Sequence, residues 1–130
     1  MANPYFMETQ ELINKAWELK KEGRLKDALD LYLSVYDQLI KDSSKHAGDV
    51  PGAEITEGKT VTMMLSFMTE AKRFLKKDKL ACTLLNNMGV IYAEVGDAES
   101  ARNCFEQSIE LTPEGLDYQN PKIGLKELEK

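Results

Sequence analysis

Few side chains in this sequence have the types and spacing that catalysis or metal binding requires. His46 is the only histidine, and it lies in a polar stretch beside Lys45 and near Asp49. Cys82 and Cys104 are the only cysteines, and their separation matches no metal-binding or redox motif. Because a structural zinc site needs four ligands, mostly histidine and cysteine, we expect no metal site and no cofactor.

The usual signatures of enzymes are also missing from the sequence. It contains no recognisable motif of a Ser/His/Asp catalytic triad, no glycine-rich phosphate-binding loop and no HExxH motif. Both cysteines fall in stretches with helical periodicity, where a free cysteine usually behaves as a small buried apolar residue. We therefore expect a protein that is not an enzyme and that works in a reducing compartment, the cytoplasm.

Composition and charge predict neither a membrane protein nor a nucleic-acid-binding one. The longest uncharged apolar run, VTMMLSFMT, is too short to cross a bilayer, and the N-terminus shows no secretory signal. The net charge of −5 arises within residues 81–130, which hold 4 basic and 9 acidic side chains. The basic run KRFLKKDK could attract an acidic partner or RNA, but a solvated helix face is the simpler interpretation.

Helical periodicity dominates the whole chain, and no strand pattern is present. Nothing interrupts residues 60–88 with glycine or proline, so the helices on either side of Asp78 are either separate or one rod. The predicted organisation is a single domain, residues 1–130, with a helix pair at 9–42, a loop at 43–58, an irregular helix at 59–77, a second helix pair at 79–113 and a C-terminal capping helix at 120–129.

The two helix pairs share an order of small and large residues. When the sequence is aligned with itself at an offset of 73 residues, a small residue, a large residue, a turn glycine, a second small residue and an aromatic residue recur in both copies. The matched positions are Ala16 with Gly89, Leu19 with Tyr92, Gly23 with Gly96, Ala28 with Ala101, and Tyr32 with Phe105.

This order resembles the tetratricopeptide repeat, a helix–turn–helix of about 34 residues whose signature contains L-G-x2-Y, then A-x3-F and then proline. The later copy, about 82–115, supplies Met88-Gly89-x2-Tyr92, Ala101-x3-Phe105 and Pro113. The earlier copy, about 9–42, keeps the frame with Ala16 in place of glycine. The resemblance implies an all-α, right-handed helix–turn–helix superhelical stack of about six helices.

The repeat pattern assigns packing roles and leaves the middle of the chain irregular. Two intact repeats would give an offset of about 68 residues rather than 73, so the helix at 59–77 is interpreted as half of a degenerate repeat. We expect the nesting of the paired helices to depend on Ala16, Gly23, Ala28, Tyr32, Gly89, Tyr92, Gly96, Ala101 and Phe105.

Members of this family typically bind a peptide or protein in the groove lined by the first helix of each pair. The resemblance therefore predicts a peptide-binding groove formed by Ile13, Trp17, Lys20, Lys21, Asn86, Asn87, Val90 and Glu94. For Trp17, both a groove position and a core position are open. Asn86 and Asn87 could donate or accept hydrogen bonds with a peptide backbone, could be solvated polar residues, or could make a contact between helices.

Some family members grip acidic C-terminal tails with a clamp of lysine, asparagine and arginine. Asn87 fits one clamp position, but Ile13 and Trp17 replace the first lysine and asparagine, so tail binding of that kind is not expected. The predicted function is a non-enzymatic interaction module, an adaptor, scaffold or assembly helper that binds a peptide or helix of a partner protein in a concave groove. The alternative is a self-associating structural subunit, a homo-oligomer whose groove or terminal helix is filled by another copy.

Overall fold

The computed structural model describes residues 4–47 and 72–130, and these ranges contain helices, turns and short connections but no strand. Predictions for residues 48–71, which include most of the loop at 43–58 and of the helix at 59–77, lie outside these ranges. Residues 72–75 are also helical, so the described chain holds six helical segments and the predicted all-α class is confirmed. The five full helices are α1 (Pro4–Lys21), α2 (Leu25–Ala47), α3 (Leu80–Glu94), α4 (Ala98–Glu110) and α5 (Asn120–Leu128).

Helix α2 runs further than the sequence pattern indicated. It was expected to end near residue 42, yet residues 43–47 continue the helix and place His46 in its last turn. No glycine or proline interrupts the chain until Gly48. Ser43 is 1% exposed, and its hydroxyl donates to the Ile40 carbonyl at 2.8 Å, so its side chain is bonded within the helix.

Helical structure is interrupted between residues 72–75 and the start of α3. Residues 76–79 form a turn and bend, and the Asp78 carboxylate accepts a hydrogen bond from the Leu80 backbone N–H at 2.9 Å. Satisfying a free N–H at the start of a helix is the usual function of an aspartate just before it. The two predicted alternatives are thus resolved in favour of separate helices.

Each helix pair reverses direction at a glycine in the left-handed region. Gly23 has φ 82° and Gly96 has φ 87°, a conformation that glycine adopts without steric penalty. Both turns also carry the same two closing bonds, which occupy carbonyls of the last helical turn. These bonds are Gly23 N–H to Lys20 O (3.0 Å), Arg24 N–H to Leu19 O (3.0 Å), Gly96 N–H to Ala93 O (3.2 Å) and Asp97 N–H to Tyr92 O (2.9 Å).

Helix α4 is capped at its start by Asp97. One carboxylate oxygen accepts from the Ser100 backbone N–H at 3.1 Å, and the other accepts from the Ser100 hydroxyl at 2.7 Å. These two bonds stabilise the charged form and lower the pKa of Asp97 below its ordinary value. Asp97 is therefore the residue that caps the start of α4 in the second pair.

The second pair packs around the aromatic ring of Phe105, which is only 2% exposed. A Cβ atom added to Gly89 of α3 would lie 2.6 Å from Phe105 Cε1, and one added to Gly124 of α5 would lie 2.5 Å from Phe105 Cζ. Real side chains essentially never approach so closely. The ring therefore fits only because both neighbouring helices present glycine to it.

The two pairs stack directly on each other. Helix α3 packs against α1 and α2 of the first pair as well as against α4, and α5 covers α3 and α4. The shared core takes Ala16, Ala28 and Tyr32 from the first pair and Leu84, Leu85 and Ile91 from α3. Consecutive repeats contact each other in this way, although the sequence places about one repeat length between the two copies.

We expect Gly89→Ala and Gly124→Ala each to destabilise the fold. Alanine improves helix propensity by about 1 kcal/mol, but crowding a packed core costs about 1–3 kcal/mol, and Phe105 touches both sites. Urea unfolding of each variant, alone and combined with Phe105→Leu, measures this effect. The smaller leucine should reduce the penalty of both alanines, whereas an equal penalty in both backgrounds would show that Phe105 is not its cause.

Candidate functional site on the α1–α3 face

Predicted groove residues from both pairs come together where α1 meets α3. We define the α1–α3 face as Trp17 and Lys20 of α1 with Asn86, Val90 and Glu94 of α3. The three α3 residues are spaced by four, which places them along one side of the helix. Lys20 Nζ lies 3.0 Å from Glu94 Oε1, so the C-terminal ends of the two helices meet at this face.

Trp17 is half-buried, and its ring contacts the side chain of Lys20. Lys20 Nζ lies 4.8 Å from the centre of the Trp17 ring, within the range of a cation–π contact. The Lys20 side chain is 20% exposed, whereas that of Glu94 is 42% exposed. The cation is therefore held on two sides by protein groups, and part of the indole surface remains open to solvent.

The adjacent asparagines of α3 have different surroundings. Asn87 Nδ2 donates to the Tyr32 hydroxyl of α2 at 3.1 Å, so this side chain links the two pairs. Asn86 is 6% exposed, and its Nδ2 reaches Asn87 Oδ1 at 3.5 Å. Asn86 Oδ1 is buried and has no hydrogen-bond partner among the described groups. One amide is thus used inside the protein, while the other keeps an unpaired acceptor.

Burial changes the acid–base behaviour of Tyr32. Its side chain is fully buried, and desolvation raises its pKa from 10.0 to about 12, while the Asn87 hydrogen bond lowers it in part. The phenol therefore remains neutral across the physiological range and accepts the Asn87 bond. The sequence offered a signal for this link, because Tyr32 stands where the second copy has Phe105, and a buried tyrosine hydroxyl usually finds a partner.

The remaining predicted groove residues lie deeper or further out than the α1–α3 face. Ile13 is 2% exposed and belongs to the core. Lys21 is exposed and pairs with Glu18 of its own helix at 2.8 Å. Within the face itself, Val90 is half-buried between Asn86 and Glu94 along α3. A separate concavity of about 400 Å³ between α1 and α2 is lined by none of the predicted groove residues.

Both cysteines, Cys82 and Cys104, are buried and form no disulfide bond. Desolvation raises the pKa of Cys82, and it raises that of Cys104 to about 11, so both thiols stay protonated near neutral pH. Within residues 4–47 and 72–130, no group of three His, Cys, Asp or Glu side chains is arranged to hold a metal ion. In the same ranges, no helix combines the length and apolar character needed to cross a membrane.

The sequence also did not predict two further polar links, one between the pairs and one within the second pair. The Tyr36 hydroxyl of α2 donates to Gln107 Oε1 of α4 at 3.2 Å. Ser108, fully buried in α4, donates to the Cys82 carbonyl of α3 at 2.6 Å. Helical periodicity predicts neither bond, because each bond joins two residues that are distant in sequence.

We expect Tyr32→Phe to flatten the alkaline loss of stability. The folded pKa of Tyr32 lies above its ordinary value of 10.0, so the stabilising effect of the neutral phenol is complete below pH 10 and is lost as pH rises through about 12. Urea unfolding of wild type and Tyr32→Phe at pH 8 and pH 11.5 tests this. A stability difference that is the same at both pH values would contradict the expectation.

Comparison with known proteins gives one match. A family model described as Tetratricopeptide repeat matches residues 82–114, the segment that contains α3, α4 and the glycine turn between them. No curated protein sequence and no solved structure matches the chain significantly. The match at residues 82–114 supports the family that the sequence resembles.

Proposed function

We propose that the chain is a non-enzymatic interaction module that binds an extended peptide segment of another protein on the α1–α3 face. The observation that carries this proposal is the tetratricopeptide repeat at residues 82–114, since repeats of this family generally serve protein–protein interaction. The two free, buried cysteines suit a role in the reducing cytoplasm as an adaptor or assembly helper.

The composition of the α1–α3 face supports this proposal. It combines an indole ring that is partly open to solvent, a half-buried valine and a lysine whose charge is held in place. Tryptophan is enriched among the residues that dominate binding energy at protein interfaces. An aromatic surface beside fixed polar groups suits a peptide, whose side chains and backbone need both kinds of contact.

Self-association is the second candidate function. Ile123 of α5 is 55% exposed and Leu116 is 41% exposed, so the end of the stack presents apolar surface. Sedimentation over a concentration series separates the two functions. A protein that stays monomeric at high concentration would exclude the self-associating subunit, whereas a dimer dissociated by Ile123→Lys would favour it.

We expect Val90→Glu to abolish partner binding without changing thermal stability. Val90 is half-buried in the middle of the α1–α3 face, and a carboxylate there would meet the apolar part of a bound peptide. Partner capture and thermal unfolding are measured together, with the exposed Leu33→Glu of α2 as the matched control. A large fall in melting temperature in Val90→Glu would instead assign Val90 to the core.

A further inference from the structure

The first helix pair has an open concavity between its two helices, which we call the α1–α2 concavity. Its volume is about 400 Å³. A cavity of about 150 Å³ in a protein core already holds a molecule of benzene, so the α1–α2 concavity has room for an aliphatic side chain. The residues that line it are Glu8, Thr9, Leu12, Ser34, Val35 and Gln38.

The repeat pattern shows which side of the first pair this is. The 73-residue offset that aligns the two pairs assigns each lining residue an equivalent in the second pair. Three of the lining residues are exposed or half-buried, whereas their three equivalents are buried. The same side of a helix pair is therefore covered in the second pair and open in the first. These equivalent positions are Glu8 with Ala81, Leu12 with Leu85, and Gln38 with Leu111.

In the second pair, this side is covered by the first pair. Gln107, the equivalent of Ser34, accepts a hydrogen bond from the Tyr36 hydroxyl of α2 at 3.2 Å. Ala81 lines a small cavity together with Leu39 of α2. Because consecutive units of a helical repeat contact each other through such faces, the α1–α2 concavity is the position at which a preceding unit would stack. No element of the described part of the chain fills it.

The other end of the stack carries an apolar side chain that suits this position. Helix α5 packs against α3 and α4, so it covers the second pair at the end opposite to the first pair. Its Ile123 is 55% exposed, the largest fraction among the large apolar side chains of the described residues. Removing such a side chain from water is favourable, and Leu12 and Val35 supply apolar contacts for it in the α1–α2 concavity.

The charges beside the two surfaces are complementary. Glu8 lies on the rim of the α1–α2 concavity with Glu11 one helical turn further along α1, and Lys122 and Lys126 are one turn apart on α5 beside the exposed isoleucine. All four side chains are exposed, and none of them has an ion pair or hydrogen bond within the described ranges. Two carboxylates can therefore meet two ammonium groups of the same spacing, and such rim charges determine how two partners orient.

We propose that the chain associates head to tail, with Ile123 of one copy inserted into the α1–α2 concavity of a second copy. Glu8 and Glu11 of the second copy then pair with Lys122 and Lys126 of the first. Because the two surfaces are different, the contact is heterologous, and the copies form longer chains unless the geometry closes them into a ring. The inference does not involve the α1–α3 face. It rests on the second candidate function, self-association, and adds the two surfaces that meet.

Charge reversal at each end tests this pairing. Glu8→Lys/Glu11→Lys places lysines at both ends of the molecule, and Lys122→Glu/Lys126→Glu places glutamates at both ends. In sedimentation velocity over a concentration series, we expect wild type to form dimers and larger species. Each variant alone should associate at least tenfold more weakly. A mixture of the two variants should associate as wild type does, because each variant carries the ends that fit the other.

The mixture and a matched control decide the result. A wild type that stays monomeric, or a mixture that associates as weakly as its separate components, would overturn the proposal. If Ile123→Lys dissociates the protein but reversal of Glu8 and Glu11 has no effect, the copies meet through α5 alone and the head-to-tail contact is wrong. Glu99→Lys/Glu106→Lys makes the same charge change at exposed positions of α4 and should leave association unchanged. An equal loss in this control would assign the effect to net charge and contradict the pairing.

The outcomes also distinguish this inference from peptide binding. Val90→Glu lies outside both surfaces and should leave association unchanged. If partner capture depends on Val90 but wild type stays monomeric, the interaction module stands and the head-to-tail contact is wrong. If the mixture restores association but capture ignores Val90→Glu, the head-to-tail contact stands and peptide binding on the α1–α3 face is wrong.

Discussion

The far end of the Phe105 ring is the contact on which the C-terminal half depends. It lies against Gly89 of α3 and Gly124 of α5, so one side chain of α4 sets how closely two other helices approach. Either glycine costs helix propensity, and both are compatible with the fold because the ring fills the space that they leave. In the first pair, the corresponding ring of Tyr32 reaches the next unit through its hydroxyl bond to Asn87.

The inter-pair bonds explain how the two helix pairs remain neighbours despite the long stretch of chain between them. Tyr32–Asn87, Tyr36–Gln107 and Lys20–Glu94 each join a residue of the first pair to one of the second. The entropic cost of closing a loop grows only slowly with its length. A long connection between stacked units therefore adds little to that cost, and cooperative packing of α3 on α1 and α2 can offset it.

Local signals in the sequence predicted the glycine turns, whereas the burial of a side chain and its contacts with other helices could not be predicted from it. Gly23, Gly96 and Asp97 act within a few residues of their own positions, so their types alone indicate their roles. The packing role of Gly124 could not be predicted, because it depends on contact with Phe105 on another helix. Periodicity likewise places Asn86 on a helix face but does not show that its side chain is 94% buried, since burial depends on which helix packs above it.

The α1–α3 face exists only in the stacked molecule. Lys20 and Trp17 come from the first pair, while Asn86 and Glu94 come from the second, so neither pair alone holds the complete set. The Tyr32–Asn87 bond fixes the position of α3 against α2 and, through the Asn87 amide, the orientation of Asn86. The packing of α3 therefore also determines the geometry of the proposed binding face. The small residues let the pairs approach, and that approach brings Lys20 of α1 within 3.0 Å of Glu94 of α3.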